Sequence, residues 1–321
     1  PAGAALLGAL AQREDCQIAV RGEAGFVPRL RRAALVEAGA PVVSAEASYL
    51  VTGGFGALGI ETARALAAQG ARHLLLLGRR LPPSAEVALA GLREQGVAVH
   101  TLLADVGDEA SLRAALAGVP AELPPLRGVV HSVGVLDDGV IGQQSWARYQ
   151  RVLHPKLSGA LLLHRLLAPR PLDFFVLYSS AAGLMGNPGQ ANHAAASAFL
   201  DAFAWYLRGR GVPAVALDWG AWSEIGAAAA RDVGARLGAE GSIAGVIAPE
   251  QGAAVMARQF GCANTQLAVL PLKLNQPIDA SRQPQVRRLL AELLAEAPAG
   301  GATQATGAGG VTGGAAADAE A

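Results

Sequence analysis

The 321-residue sequence is poor in cysteine, methionine and aromatic residues, with two Cys, two Met and 5% Phe, Trp and Tyr. Cys16 and Cys262 lie far apart and neither belongs to a CxxC pair, so a disulfide framework is not expected and two free thiols in a reducing compartment are. The six histidines (His73, His100, His131, His154, His164 and His193) are scattered rather than set at ligand spacing, so no metal site is expected. Neither sign of charge is in excess, with 26 basic residues against 26 acidic ones. Nucleic acid and anionic membrane surfaces both call for a basic excess, so neither is an expected partner. No apolar run reaches about 18 residues, which argues against a transmembrane helix. No charged segment followed by an apolar core opens the chain, so a secretion signal is not expected and the cytoplasm is the expected location. The first residue is Pro1 rather than Met, which reads as a piece of something longer or a processed product.

What the sequence does have is apolar bulk. Hydrophobic residues make up 52% of it, enough to bury the core of one large α/β domain or two small ones. The segment "ALLGALAQRE" reads as a short amphipathic helix. "CQIAVRGEAGFVPRLRR" alternates around a Gly-rich turn as a hairpin does. From about Ala47 short apolar runs alternate with helical stretches: "SYLVTGG", "HLLLLGR", "AVHTLLAD", "LRGVVHSVG", "DFFVLYSS", "PAVALDWG" and "QLAVLPL", with helices such as Gly59–Gln69 and Ser84–Gln95 between them. Near-continuous apolar strands separated by helices imply a parallel sheet covered on both faces. The expected fold is therefore α/β: a Rossmann-like doubly wound parallel sheet of about seven strands with helices on both faces, plus a short N-terminal hairpin. The tail Gly300–Ala321 is almost entirely Gly, Ala and Thr with a few acids, too little apolar surface to offset the entropy of ordering it, and reads as a linker. The expected units are residues 1–45 (a hairpin remnant of a preceding subdomain), 46–296 (the catalytic domain) and 297–321 (the linker). No internal repeat is visible.

The segment "YLVTGGFGALGIETARALAAQG" runs from strand to Gly-rich turn to helix. Glycines there permit a tight turn and a close approach to a pyrophosphate, which the helix N-terminus then attracts. The candidate cofactor residues in this turn are Thr52, Gly53, Gly54, Phe55, Gly56, Leu58 and Gly59. The second strand ends at Arg79 and Arg80 rather than at a carboxylate. A guanidinium clamps a 2′-phosphate, which favours NADPH over NADH. Asp105 and Val106 are placed to meet an adenine, and Ser132 and Gly134 follow the fourth strand. In an open parallel sheet the chemistry lies beyond the carboxyl ends of the strands, here the loops "HSVGVLDDG", "LYSS" and "DWGAW". Reduction of a ketone requires hydrogen bonds to the oxygen and then a proton. Ser180 is placed to supply the first, and Lys156 in "HPKLSGALLLH" lies on the helix before it.

Taken in order, "VTGGFGALG", "GRR", "ADV", "HSVGVLDDG", "HPKLSGALLLH", "LYSSAAGLMGNPGQANHAAASAFLDAFA" and "DWGAWSEIG" resemble the ketoreductase domain of modular type I polyketide synthases, a branch of the short-chain dehydrogenase/reductases. The likeness covers about Ala47 to Gly226 and continues more weakly to about Leu294. It implies a catalytic Lys at Lys156 and a Ser at Ser180. The family's Tyr falls on His193 and its Asn on Ser197, so two of the four expected residues are changed. It implies a substrate carried by the phosphopantetheine arm of an acyl carrier protein domain, with other synthase domains as neighbours and the oligomeric state undetermined. Leu136, Asp137 and Asp138 are similar to the mark of B-type ketoreductases, which implies a D-3-hydroxy product. The Trp that marks A-type domains falls at Met185. Trp219 completes the residues assigned to substrate and stereocontrol.

Imidazole titrates near pH 6.5, so a protonated His193 needs little tuning to hand a proton to an alkoxide, although Lys156 nearby opposes its charge and its reach is shorter than a phenol's. Three readings follow: a working NADPH-dependent β-ketoacyl reductase with His193 as donor; an NADPH-binding domain that does not reduce and serves a structural or epimerising role; and a free-standing reductase of small alcohols. The Gly- and Ala-rich stretch Trp222–Pro249 is expected to close as a lid over the substrate.

Overall fold

A computed structural model describes residues 2–11, 15, 17–33, 42–168, 170–226, 243–274 and 284–296. Cys16, the Gly300–Ala321 linker and most of the expected lid (227–242) lie outside the described residues. The chain opens with helix α1 (Ala2–Ala11) and an antiparallel pair, β1 (Ala19–Arg21) and β2 (Ala24–Phe26), joined at Gly22 with φ +63°. The main sheet has seven parallel strands: β3 (Ser48–Thr52), β4 (His73–Gly78), β5 (Ala98–Leu103), β6 (Leu126–His131), β7 (Phe174–Ser180), β8 (Ala214–Trp219) and β9 (Gln266–Val269). Their spatial order is β5-β4-β3-β6-β7-β8-β9, so the direction of winding reverses between β3 and β6. A crevice must open there, beyond the strand ends, because the loops after these two strands leave in opposite directions.

Strands β3 to β8 each feed both faces of the sheet. In β4, Leu74 and Leu76 enter one core layer, and Leu75 and Leu77 the other. All four are essentially inaccessible, each removal from water contributing about 2 kcal/mol before chain entropy is counted. The first layer lies under α2 (Ala57–Ala68), α3 (Pro83–Glu94) and α9 (Pro249–Gln259); the second under α4 (Glu109–Ala117), α6 (Gly159–Leu167) and α8 (Ala191–Arg208). Gly128 in β6 is required by this packing, since a Cβ there would overlap the Phe174 ring, itself stacked on Tyr49 at 5.6 Å. A third, smaller cluster forms at the C-terminal end. Ile243 packs with Val286 of α10 (Pro284–Leu289), Leu293 of α11 (Ala291–Glu296) and Leu290 between them, and Met185 and Leu30 close around these.

Candidate active site

The turn after β3 is built on backbone approaches that only glycine permits. Gly53 sits at φ +69°, and a Cβ there would lie 3.0 Å from the Ser132 and Val133 backbone. Gly54 is pressed between Val51 O and Leu76, and a Cβ on Gly59 would overlap the Gly53 carbonyl oxygen. The start of α2 is thereby held against the turn. A cavity of about 860 Å³ lies beyond these strands, lined by Gly53, Phe55, Gly56, Arg79, Arg80, Asp105, Val106, Ser132 and Gly134 among the expected residues. Thr52, Gly54, Leu58 and Gly59 support the cradle rather than line it. Asp105 Oδ1 accepts a hydrogen bond from Gly107 N at 2.9 Å and faces His154 Nε2 at 3.4 Å. Sequence reasoning missed Gln150, Arg151, His154 and Pro155 on the far wall, which come from α5 (Trp146–Leu153) and the π-helical turn after it. No local motif marks them; they reach the cavity only through the crossover after β6.

That π turn, His154–Ser158, carries Lys156. The side chain is buried, with Nζ donating to Tyr178 O at 3.2 Å and to Ser197 Oγ at 3.4 Å. Burial pushes the ammonium down to about 8, against the opposing pull of Asp201 and Asp218. Beneath it His131 is fully buried between two partners. Its Nε2 lies 3.1 Å from Lys156 O and its Nδ1 2.8 Å from Thr52 Oγ1. A carbonyl only accepts, so Nε2 carries the proton and Nδ1 accepts from the Thr52 hydroxyl. Burial holds this imidazole neutral, pushed down to about 4.

Ser180 ends β7 and caps helix α7 (Ala181–Met185), its Oγ accepting from Ala182 N at 3.2 Å. That bond occupies a lone pair and leaves the hydroxyl proton for an acceptor outside. His193 lies in the first turn of α8, and Ser197 and Asp201 follow at intervals of four, so the three share one helix face. The Lys156–Ser197 contact therefore places Lys156 one turn below His193. The LDD loop is anchored to the same helix start. Asn192 Nδ2 donates to Asp137 O at 2.8 Å, and Gln190 Nε2 to Asp138 Oδ2 at 3.1 Å. The Asp137 carboxylate is gripped by Arg148 at 2.7 Å and Arg151 at 2.8 Å. Leu136 is half-buried just before this anchor, and Met185 is half-buried against the third apolar cluster. Trp219 is not brought to the cavity: it packs between Tyr178 and Trp222 on the opposite face of the sheet.

A glycine cradle at the sheet's switch point, with a buried lysine and a strand-end serine beyond it, defines a dinucleotide-dependent oxidoreductase of the Rossmann type. The family model for the KR domain matches residues 47–224. The chain is 43% identical over 215 residues to 6-methylsalicylic acid synthase of Aspergillus terreus, covering 61% of this chain and 12% of that protein. It is 43% identical over 234 residues to the spectinabilin polyketide synthase system protein NorA' of Streptomyces orinoci, covering 72% and 6%. Among solved structures, an A1-type ketoreductase superposes with a TM-score of 0.77 at 34% identity, over 90% of this chain and 62% of that one. A C2-type ketoreductase from a modular polyketide synthase gives 0.73 at 29% identity, over 91% and 63%. The chain belongs to the KR-domain family, the polyketide synthase ketoreductases of the short-chain dehydrogenase/reductase superfamily. It spans a small fraction of the length of the synthases it matches. Among the described residues no helix is long and apolar enough to cross a membrane.

Proposed function

We propose that this domain reduces a β-ketoacyl thioester, presented on the phosphopantetheine arm of an acyl carrier protein, to the D-3-hydroxyacyl thioester with NADPH. The observation that carries this reading is the alignment of Lys156 with the His193–Ser197 face of α8, with Lys156 next to Pro155 and Gly134 in the wall of a cavity that the Gly53–Gly59 cradle shapes for a dinucleotide. Gly53 and Gly56 would admit the pyrophosphate to the N-terminus of α2, with Arg79 and Arg80 on the 2′-phosphate. Bound there, the reduced nicotinamide would supply hydride chemistry at the ketone carbon. Ser180 donates a hydrogen bond to the ketone oxygen. The protonated His193 imidazole gives its proton to the alkoxide as the C–O double bond becomes single, and recovers one from solvent. The Lys156 ammonium adds positive potential where that negative charge develops. The Leu136–Asp138 loop, tied to the start of α8, and Met185 in place of a Trp support the D configuration.

A second reading has a motive of its own. Ser197, where the family has Asn, takes one of the two hydrogen bonds of Lys156, at 3.4 Å, so a domain that binds NADPH without reducing is the competing outcome. NADPH oxidation with a β-ketoacyl N-acetylcysteamine thioester decides between them. Wild type is expected to turn over, to lose rate as pH rises through the imidazole range, and to be silenced by His193→Phe; chiral analysis of the product then reads the configuration. A wild type that binds NADPH but is silent, and gains turnover on His193→Tyr, overturns the reductase reading.

A further inference from the structure

Two carboxylic acids meet behind Lys156. Asp201 stands one turn below Ser197 on the shared face of α8, and Asp218 stands in β8 on the face of the sheet that α8 covers. They are 7% and 0% exposed. Their carboxyl groups lie within hydrogen-bonding distance of each other. The Oδ1 atom of each is buried and receives no N–H or O–H from any other described residue. Around them Gln266 Nε2 donates to Asp218 Oδ2 at 2.9 Å, and the one proton of the nearby Ser179 hydroxyl is donated to Ser197 O at 3.1 Å. Two ionised carboxylates in contact would repel each other strongly in so dry a place, and two oxygens that lack any other donor are satisfied together by one proton between them.

Charge balance points the same way. Lys156 is one of only two lysines in the chain, and its two acceptors, a carbonyl and a hydroxyl, are uncharged. A buried ammonium needs a countercharge. The charged groups acting on it are Asp201 from α8 and Asp218 from β8; the neighbouring His131 from β6 is neutral, and β7 and β9 contribute only Ser179 and Gln266. Two carboxyls holding one proton carry a single negative charge, which leaves the buried group neutral as a whole.

We propose that Asp201 and Asp218 share one proton and that the single negative charge they retain is the counter-ion that keeps Lys156 an ammonium ion in the site. They are positioning residues, acting through Lys156 rather than on substrate. The shared proton does not depend on the function proposed above; the consequence for turnover rests on it.

Infrared spectroscopy of the folded protein at neutral pH tests the first part without any substrate. Every ordinary one of the 26 acids is ionised there, so the carbonyl stretch of a protonated carboxyl is expected from this pair, and Asp201→Asn or Asp218→Asn is expected to abolish it. The charge is tested by side-chain NMR of protein labelled with 15N-lysine, in which Lys273 serves as the internal reference. Asn carries an N–H where the protonated acid carries O–H, so each single variant keeps one donor and one negative charge. Each is expected to leave Lys156 titrating near its wild-type pH, whereas the D201N/D218N double variant is expected to bring that pH down. Reduction of the thioester at neutral pH is expected to fall about tenfold or more in the double variant, beyond the product of the two single losses. Absence of the protonated-carboxyl band in wild type overturns the proposal, and so does a double variant in which Lys156 titrates unchanged. If the band and the lysine titration behave as expected while wild type reduces nothing, the pair stands and the reductase reading falls.

Discussion

At the residue scale, two buried cations-in-waiting stabilise the fold in the same sense, as pH rises, in two separate windows. His131 is pushed down to about 4, chiefly by burial. In the unfolded chain it would titrate near 6.5, so between these values the unfolded state binds more protons. The stability contributed by the neutral imidazole is therefore present above pH 6.5 and lost as pH falls toward 4, about 3 kcal/mol in all. The urea midpoint is expected to fall more steeply over that window in wild type than in His131→Gln, and equal slopes would count against this account. Lys156, pushed down to about 8, acts in the same sense at higher pH. Its unfolded counterpart holds a proton up to about 10.4, so the fold gains stability as pH rises from about 8. The ammonium the chemistry needs is lost over the same range. Reduction measured with the His193→Tyr variant is expected to decline above about pH 8 while the melting temperature does not; a rate and a melting temperature that fall together would mean unfolding instead.

The elements that matter most are those whose ends are pinned. The β3-to-α2 turn works because Gly59 lets the helix start touch the Gly53 carbonyl. Gly59→Ala forces that turn apart, at about 1–3 kcal/mol of overpacking. NADPH binding, followed by fluorescence titration, is expected to weaken roughly five- to hundredfold. Unchanged affinity would remove this turn from the cofactor site. The start of α8 is pinned in another way, by Asn192 and Gln190 to the two acids of the LDD loop, while Arg148 and Arg151 hold Asp137 from behind. The residue proposed as proton donor and the loop proposed to mark the product's configuration are thus one mechanical unit.

Across the whole molecule, the sheet carries two apolar layers, and the described N- and C-terminal segments meet on its flank. Leu30 N donates to Leu289 O at 2.8 Å, and Arg31 pairs with Glu292. The cofactor cavity draws walls from α5 and from the ends of β3, β4, β5 and β6, so a ligand there ties most of the sheet together. NADPH at a hundred times its dissociation constant is expected to stabilise the fold by about 2.7 kcal/mol. For a domain of this size that is a rise of roughly 5–10 °C in melting temperature. NADH at equal concentration is expected to give less, because Arg79 and Arg80 then lack their phosphate; equal shifts for the two nucleotides would refute that assignment.

The architecture was legible in the order of residues because its rules are local. Seven apolar runs separated by amphipathic helices admit few arrangements other than a covered parallel sheet, and the glycines of "VTGGFGALG" mark the nucleotide turn through their own backbone requirements. Ser180 was a candidate from its place at a strand end and Lys156 from its helix, while His193 and Ser197 were singled out only by resemblance. The far wall of the cavity, the neutral His131 beneath Lys156, and the meeting of Asp201 with Asp218 had no such signature. Asp201 and Asp218 stand on different elements and look like ordinary acids in a list of residues. Only the packing of α8 on β8 removes their water and brings one carboxyl against the other. The sequence by itself determined which segments become strands and helices and where the glycine turn falls; the tertiary structure decided which charges are buried together, because desolvation depends on neighbours that are distant along the chain.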